Sequence, residues 1–205
     1  MKKTPDIIKK IQNFQPKKID YSFQKSISYS QLSMYTSCPK KWSLMYRDGY
    51  KLPQPSIHLC FGTSIHETVQ KYLHTMYEES GASADRIDIE ELFEERFREN
   101  YAKEYKNNKN IHFSSSDEMR EFFDDGMNIL DFIKKKRGEY FSVRGWHLVG
   151  IEIPIVMPPD PRYPNILYNG FIDLVLYNEN TEEFIIYDIK TSTRGWGDKE
   201  KKDEI

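Results

Sequence analysis

The sequence predicts an α/β fold of the α+β kind, with helices in the first two-thirds of the chain and a small sheet behind them. Apolar residues recur at helical spacing from Ser28 to Lys136, and from Trp146 onward the period becomes strand-like. Within the strand-like part, apolar runs carry charges at unusual places: Asp173, Asp188 and Lys190.

Residues 1–26 are basic and polar and read as a loosely ordered arm, with at most a short helix around Ile7 to Ile11. The remainder, 27–205, reads as one domain: a helical part (27–140), strands (146–192) and a charged tail (193–205). Ser28-Tyr-Ser30-Gln-Leu opens a helix with Ser30 as its N-cap. Pro39 suits the first position of a second helix, Pro39 to Arg47. After Pro53 and Pro55 comes a longer helix from Thr63 to Glu79, with Ile65, Val69, Tyr72, Leu73 and Met76 as its buried stripe. Two further helices follow, Ile89 to Tyr105 and Asp117 to Lys136. The run Lys134, Lys135, Lys136 and Arg137 closes the last of them, where it suits the helix dipole and equally offers contacts to phosphates.

His147 to Met157 reads as a strand, with Ile151, Ile153 and Ile155 on one face and Glu152 on the other. Leu167 to Tyr177 and Phe184 to Lys190 are rich in aromatic and β-branched residues, and the polar stretch 178–183 between them has hairpin length. A hairpin centred between Asn180 and Thr181 sets Tyr177 opposite Phe184, Val175 opposite Ile186 and Asp173 opposite Asp188. Such pairs hold their Cβ atoms roughly 4.5–5.5 Å apart, close enough for two carboxylates to share a cation. Strand alternation sends Asp188 and Lys190 to one face and Ile189 to the other. Phe171, Val175 and Ile186 share the parity of the aspartates, so the charges are expected in apolar surroundings, which a metal ion and a substrate would make tolerable. The alternative is two solvated aspartates on the polar face of an amphipathic hairpin.

Composition excludes several classes. The net charge of −2 over 205 residues gives no global signature of nucleic-acid binding, so such binding must use local patches. No run approaches the length of a membrane span, and the N-terminus lacks the apolar core of a secretory signal. Two cysteines make no disulfide framework, which points to an intracellular, reducing setting. His66 follows Gly62 in the first turns of the long helix and reads either as a partly buried structural histidine or as a ligand. One imidazole with two carboxylates suits Mg²⁺ or Mn²⁺.

Gly62-x-x-x-His66, Gly170-x-x-Asp173 and Asp188-x-Lys190-Thr191, in this order, resemble the RecB-like nucleases of the PD-(D/E)XK superfamily, relatives of lambda-type exonucleases and CRISPR-associated RecB-like nucleases. Ser28-Tyr-Ser30-Gln-Leu with Cys38-Pro39-Lys-Lys-Trp42 resembles the opening of the same group. The resemblance implies a restriction-endonuclease-like fold and a metal-dependent DNA nuclease, most often an exonuclease of replication, recombination or repair. It implies Asp173, Asp188, His66 and the Ile189 carbonyl as metal ligands and Lys190 as the group that activates water. Glu152 matches a glutamate the family often carries on its first core strand. Thr191 and Arg194 join the lysine run as expected DNA contacts, and helicase or recombination proteins are the implied partners. Pro159-Asp160 spells the family's name literally but lies in a proline-bounded loop, so Asp173 is preferred. Some relatives hold an iron–sulfur cluster on four cysteines; Cys38 and Cys60 are too few, and Cys38 is expected to be a buried thiol. The family's Gln-x-x-x-Tyr helix is not spelled after Lys190, which suggests a chain cut one helix short. A nuclease-fold module that binds DNA or serves as a scaffold without cleaving is the alternative function.

Overall fold

The computed structural model describes residues 4–15, 18–20, 22–50 and 55–191. These divide into two units, one drawn from Met1–Pro53 and Arg144–Asp188, the other from Gln54–Val143 and Ile189–Ile205.

The first unit is built on a four-stranded mixed sheet of β1 (Lys25–Ser28), β2 (Trp146–Met157), β3 (Ile166–Asn178) and β4 (Glu183–Tyr187). β3 is the central strand. β2 runs antiparallel along one edge, while β1 (parallel) and β4 (antiparallel) share the other. The hairpin between β3 and β4 turns where Asn178 Oδ1 accepts from the Asn180 backbone N–H at 2.9 Å, a local bond that asparagine makes readily. Part of the expected loose arm is ordered. Asp6–Gln12 forms helix α1, and its Ile8, fully buried, packs with Val149, Val175 and Tyr177 on the sheet. Gln12 ties the same helix to β2 by donating to the Val149 carbonyl at 3.2 Å.

Helix α2 (Tyr29–Ser37) starts two residues earlier than the sequence suggests. Its N-cap is Ser28, whose Oγ accepts from the Gln31 N–H, not Ser30. Cys38 ends α2 and caps α3 (Pro39–Trp42), its Sγ accepting from the Lys41 N–H at 3.4 Å. Neither of the two short helices it joins has a buried residue, and Cys38 too is exposed rather than buried. The chain continues from α3 into a π-helical turn, Ser43–Arg47.

The second unit is helical: α4 (Ile57–Glu78), α5 (Gly81–Asp85), α6 (Ile89–Asn107) and α7 (Ser116–Tyr140). α4 begins six residues before the expected Thr63, because the apolar stripe already runs through Ile57, Cys60 and Phe61. Burial of Cys60 pushes its thiol up to about 11. Asp88 and Ser115 cap α6 and α7, accepting from the N–H groups of Glu91 and Glu118. Phe61, Phe93, Phe97, Phe122 and Phe123 form the aromatic core between these helices.

Gly126 lets α7 approach that core: a Cβ there would meet Phe93 Cε1 and Cζ at 2.4 Å. Phe93 is fully buried and stacked between Phe97 and Phe123, so its ring has nowhere to swing. Gly126→Ala is therefore expected to destabilise the protein by about 1–3 kcal/mol, read as a lower urea midpoint with unchanged slope. Adding Phe93→Leu should recover part of the loss. An unchanged midpoint for Gly126→Ala alone would refute the close packing.

Candidate active site at a fork in the sheet

On one edge of β3, β1 pairs with 166–169 and β4 with 174–178. Neither ladder extends over 170–173, the stretch that spells Gly-x-x-Asp. The chain leaves β1 into α2 at Ser28, beside Asn169, and leaves β4 after Tyr187, beside Leu174. Asp173 thus stands where two strands diverge from a third.

The hairpin register is the one the sequence predicts, with Tyr177 opposite Phe184 and Val175 opposite Ile186. The ladder stops at Leu174 and Tyr187, one step short of Asp173 and Asp188. On the other edge, Ile151 pairs with Leu174 and Ile153 with Ile172, so Glu152 falls opposite Asp173. The residues at this interrupted row of the pairing are three carboxylates: Glu152, Asp173 and Asp188.

Glu152 is exposed and has φ +50°, a left-handed conformation that is rare for a side-chain-bearing residue inside a strand. The kink brings Ile153 over Gly150, where a Cβ would meet Ile153 Cγ1 at 2.9 Å. A register shift at Val149 just precedes it.

Two expectations about this region change. The last strand ends at Tyr187 rather than Lys190, so ladder alternation does not orient Asp188, Ile189 and Lys190. The Ile189 carbonyl instead meets His66 Nε2 at 2.6 Å. Nor is the face of the aspartates uniformly apolar and enclosed. Val175 is buried, but Phe171 and Ile186 are 68% and 62% exposed. The carboxylates stand at the boundary between a buried patch and open surface.

In the helical unit, His66 lies well inside α4, and Gly62 is an interior residue of that helix rather than the turn that starts it. The function of Gly62 is close approach: a Cβ there would come within 3.1 Å of Thr191 Oγ1. With the bond from His66 to Ile189, this docks the segment after Asp188 on α4. Thr191, expected as a DNA contact, lies over Gly62.

Carboxylate, imidazole and carbonyl donors are the right chemistry for a hard divalent cation. Among the described residues no three His, Cys, Asp or Glu side chains converge on a common point. The donor types present fit such an ion.

Other expected residues have partners of their own. Arg137 Nη1 donates to Asp85 Oδ1 (2.5 Å) and to the Tyr72 hydroxyl (3.0 Å), tying α7 to α4 and α5. The guanidinium holds the Asp85 carboxyl below its usual range. Lys136 pairs with Glu139 at 2.7 Å. Lys135 is exposed and Lys134 half-buried. Asp160 is gripped by Arg162, whose Nε lies 2.9–3.0 Å from both carboxylate oxygens, so it serves its own loop. Arg194 lies outside the described residues. No helix among the described residues is long and apolar enough to cross a membrane.

No curated protein matches this chain. A family model does: the PD-(D/E)XK nuclease superfamily, over residues 26–204. That span holds the mixed sheet with its fork, helices α2 to α7 and every motif residue from Ser28 to Thr191. The chain belongs to the PD-(D/E)XK nuclease superfamily.

Proposed function

We propose that this chain is a RecB-like, Mg²⁺- or Mn²⁺-dependent deoxyribonuclease that works as an exonuclease on DNA ends. The observation that carries this is the row of Glu152, Asp173 and Asp188 across the open fork of the sheet. Carboxylates gathered where no ladder covers the strand are poised for a cation and a phosphodiester rather than for packing.

In this proposal Asp173 and Asp188 hold the ion, with His66 and the Ile189 carbonyl as further donors. The ion, when bound, supplies charge against the phosphoryl oxygens and makes water more acidic. Lys190 orients the attacking water and offsets charge in the transition state. Glu152, opposite Asp173, accepts a proton or a hydrogen bond from that water. Gly62 leaves room for Thr191, which follows Lys190, on α4.

The test is degradation of linear and circular DNA in Mg²⁺ and in Mn²⁺. Linear DNA should be consumed and closed circles spared, with Lys190→Ala slower by about 10²–10³-fold. Cutting of circles would make the enzyme an endonuclease. Binding without cleavage, with wild type and Lys190→Ala alike, would leave a nuclease-fold binding module.

A further inference from the structure

We infer that α2 and α3 form a stacking platform for single-stranded DNA. The inference rests on the nuclease reading for its choice of DNA, but the surface is a binding feature in its own right.

The first observation is charge. Residues 21–47 contain no Asp or Glu, although the chain has 32 of them, and they carry Lys25, Lys40 and Lys41, besides Arg47, which Asp48 holds at 2.8 Å. A chain with a net charge of −2 repels DNA as a whole, so an acid-free stretch is where a phosphate backbone is admitted.

The second is the placement of rings. Helix α2 has no buried residue at all. Tyr29, Leu32 and Tyr35 follow at intervals of three, within one arc of the helix surface, and are 69%, 46% and 50% exposed. A helix normally buries such a stripe, and polar contacts with solvent are poor recompense for leaving it open. Tyr35 meets Trp42 of α3 edge-on at 5.4 Å, so the ring is held in position while its surface stays accessible. Lys40 and Lys41, both exposed, flank Trp42. Aromatic faces beside lysines, with no carboxylate on either helix, suit unpaired bases and their phosphates, because every base offers a π face. In a duplex those faces are already stacked on one another.

The third is location. Ser28, which caps α2, pairs with Asn169 of β3, and Asp173 lies four residues further along that strand. At strand rise this is about 13 Å. A single strand lying on α2 is thereby delivered to the fork, which explains why an aromatic, lysine-bearing helix pair begins there.

The test measures binding apart from cleavage. Fluorescence anisotropy in EDTA, with labelled oligo(dT) and with a blunt duplex of equal length, keeps the DNA intact. The wild type should prefer oligo(dT). Tyr29→Ala and Tyr35→Ala should each weaken it by about tenfold, with little effect on the duplex. Tyr35→Phe, which keeps the ring and its contact with Trp42, should bind as wild type, so a folding defect is told apart from lost stacking. Lys40→Ala/Lys41→Ala should flatten the slope of log K against log salt by about 1.4, from about 0.7 per phosphate. If oligo(dT) affinity is the same for the wild type and both tyrosine variants, or if the duplex loses as much, the platform does not exist. A protein that binds oligo(dT) as described but cleaves nothing would sink the nuclease reading and leave the platform standing.

Discussion

Asp173→Asn is expected to slow cleavage by about 10²–10³-fold while leaving the sheet intact. The substitution keeps shape and removes charge at the position of β3 where the β4 ladder has stopped and the pairing with β2 is interrupted. Its neighbours on β3, Leu174 and Val175, are buried and supply the strand's stability without it. Rates should be measured under single turnover, where binding and product release do not mask the chemical step. A second readout separates metal loss from other causes. A ligand bound only by the folded state at 100 times its dissociation constant stabilises by about 2.7 kcal/mol. Mn²⁺ should therefore raise the thermal midpoint of the wild type and not that of Asp173→Asn. Asp160→Asn is the control, since Asp160 is bound to Arg162 in its own loop; it should behave as wild type in both measurements. Cleavage by Asp173→Asn at near wild-type rate, with an Mn²⁺ shift retained, would remove Asp173 from the site.

Much of this arrangement is legible in the letters, and the exceptions share a cause. The hairpin register could be counted because a polar turn of fixed length separates two runs of period two, and turn length sets register. α6 and α7 could be read from apolar spacing. What could not be read depends on partners far away in sequence. Lys25-Ser-Ile-Ser has a single apolar residue and no period; it becomes β1 only because β3 offers an edge more than a hundred residues later. Ile8 and Ile11 are spaced as a helix would space them, but only Val149, Val175 and Tyr177 make that helix worth forming. Gly62 looked like a turn residue; its neighbour Thr191 shows it to be a contact point inside a helix. Arg137 looked like a phosphate ligand until Asp85 and Tyr72 claimed it.

Glu152 is the exception that no pattern predicts, and it yields the second large effect. A left-handed backbone costs a side-chain-bearing residue about 1–2 kcal/mol, a cost that glycine avoids. Glycine itself loses about 0.5–1 kcal/mol in backbone entropy, so Glu152→Gly should still stabilise the protein, by up to about 1 kcal/mol. A solvated surface glutamate would have no reason to keep this strain, whereas a group that must face Asp173 would. Cleavage by Glu152→Gly should therefore fall by about 10–10²-fold even as its urea midpoint rises. Glu152→Gln divides the two effects: it keeps the kink and the strain, loses the charge, and should be as slow as the glycine variant without its added stability. If both variants cleave like the wild type, Glu152 is a surface residue and the row across the fork shrinks to the two aspartates. If Glu152→Gly is slow but no more stable, the kink is held by β2 itself, through the bulge at Val149, rather than imposed against the preference of residue 152.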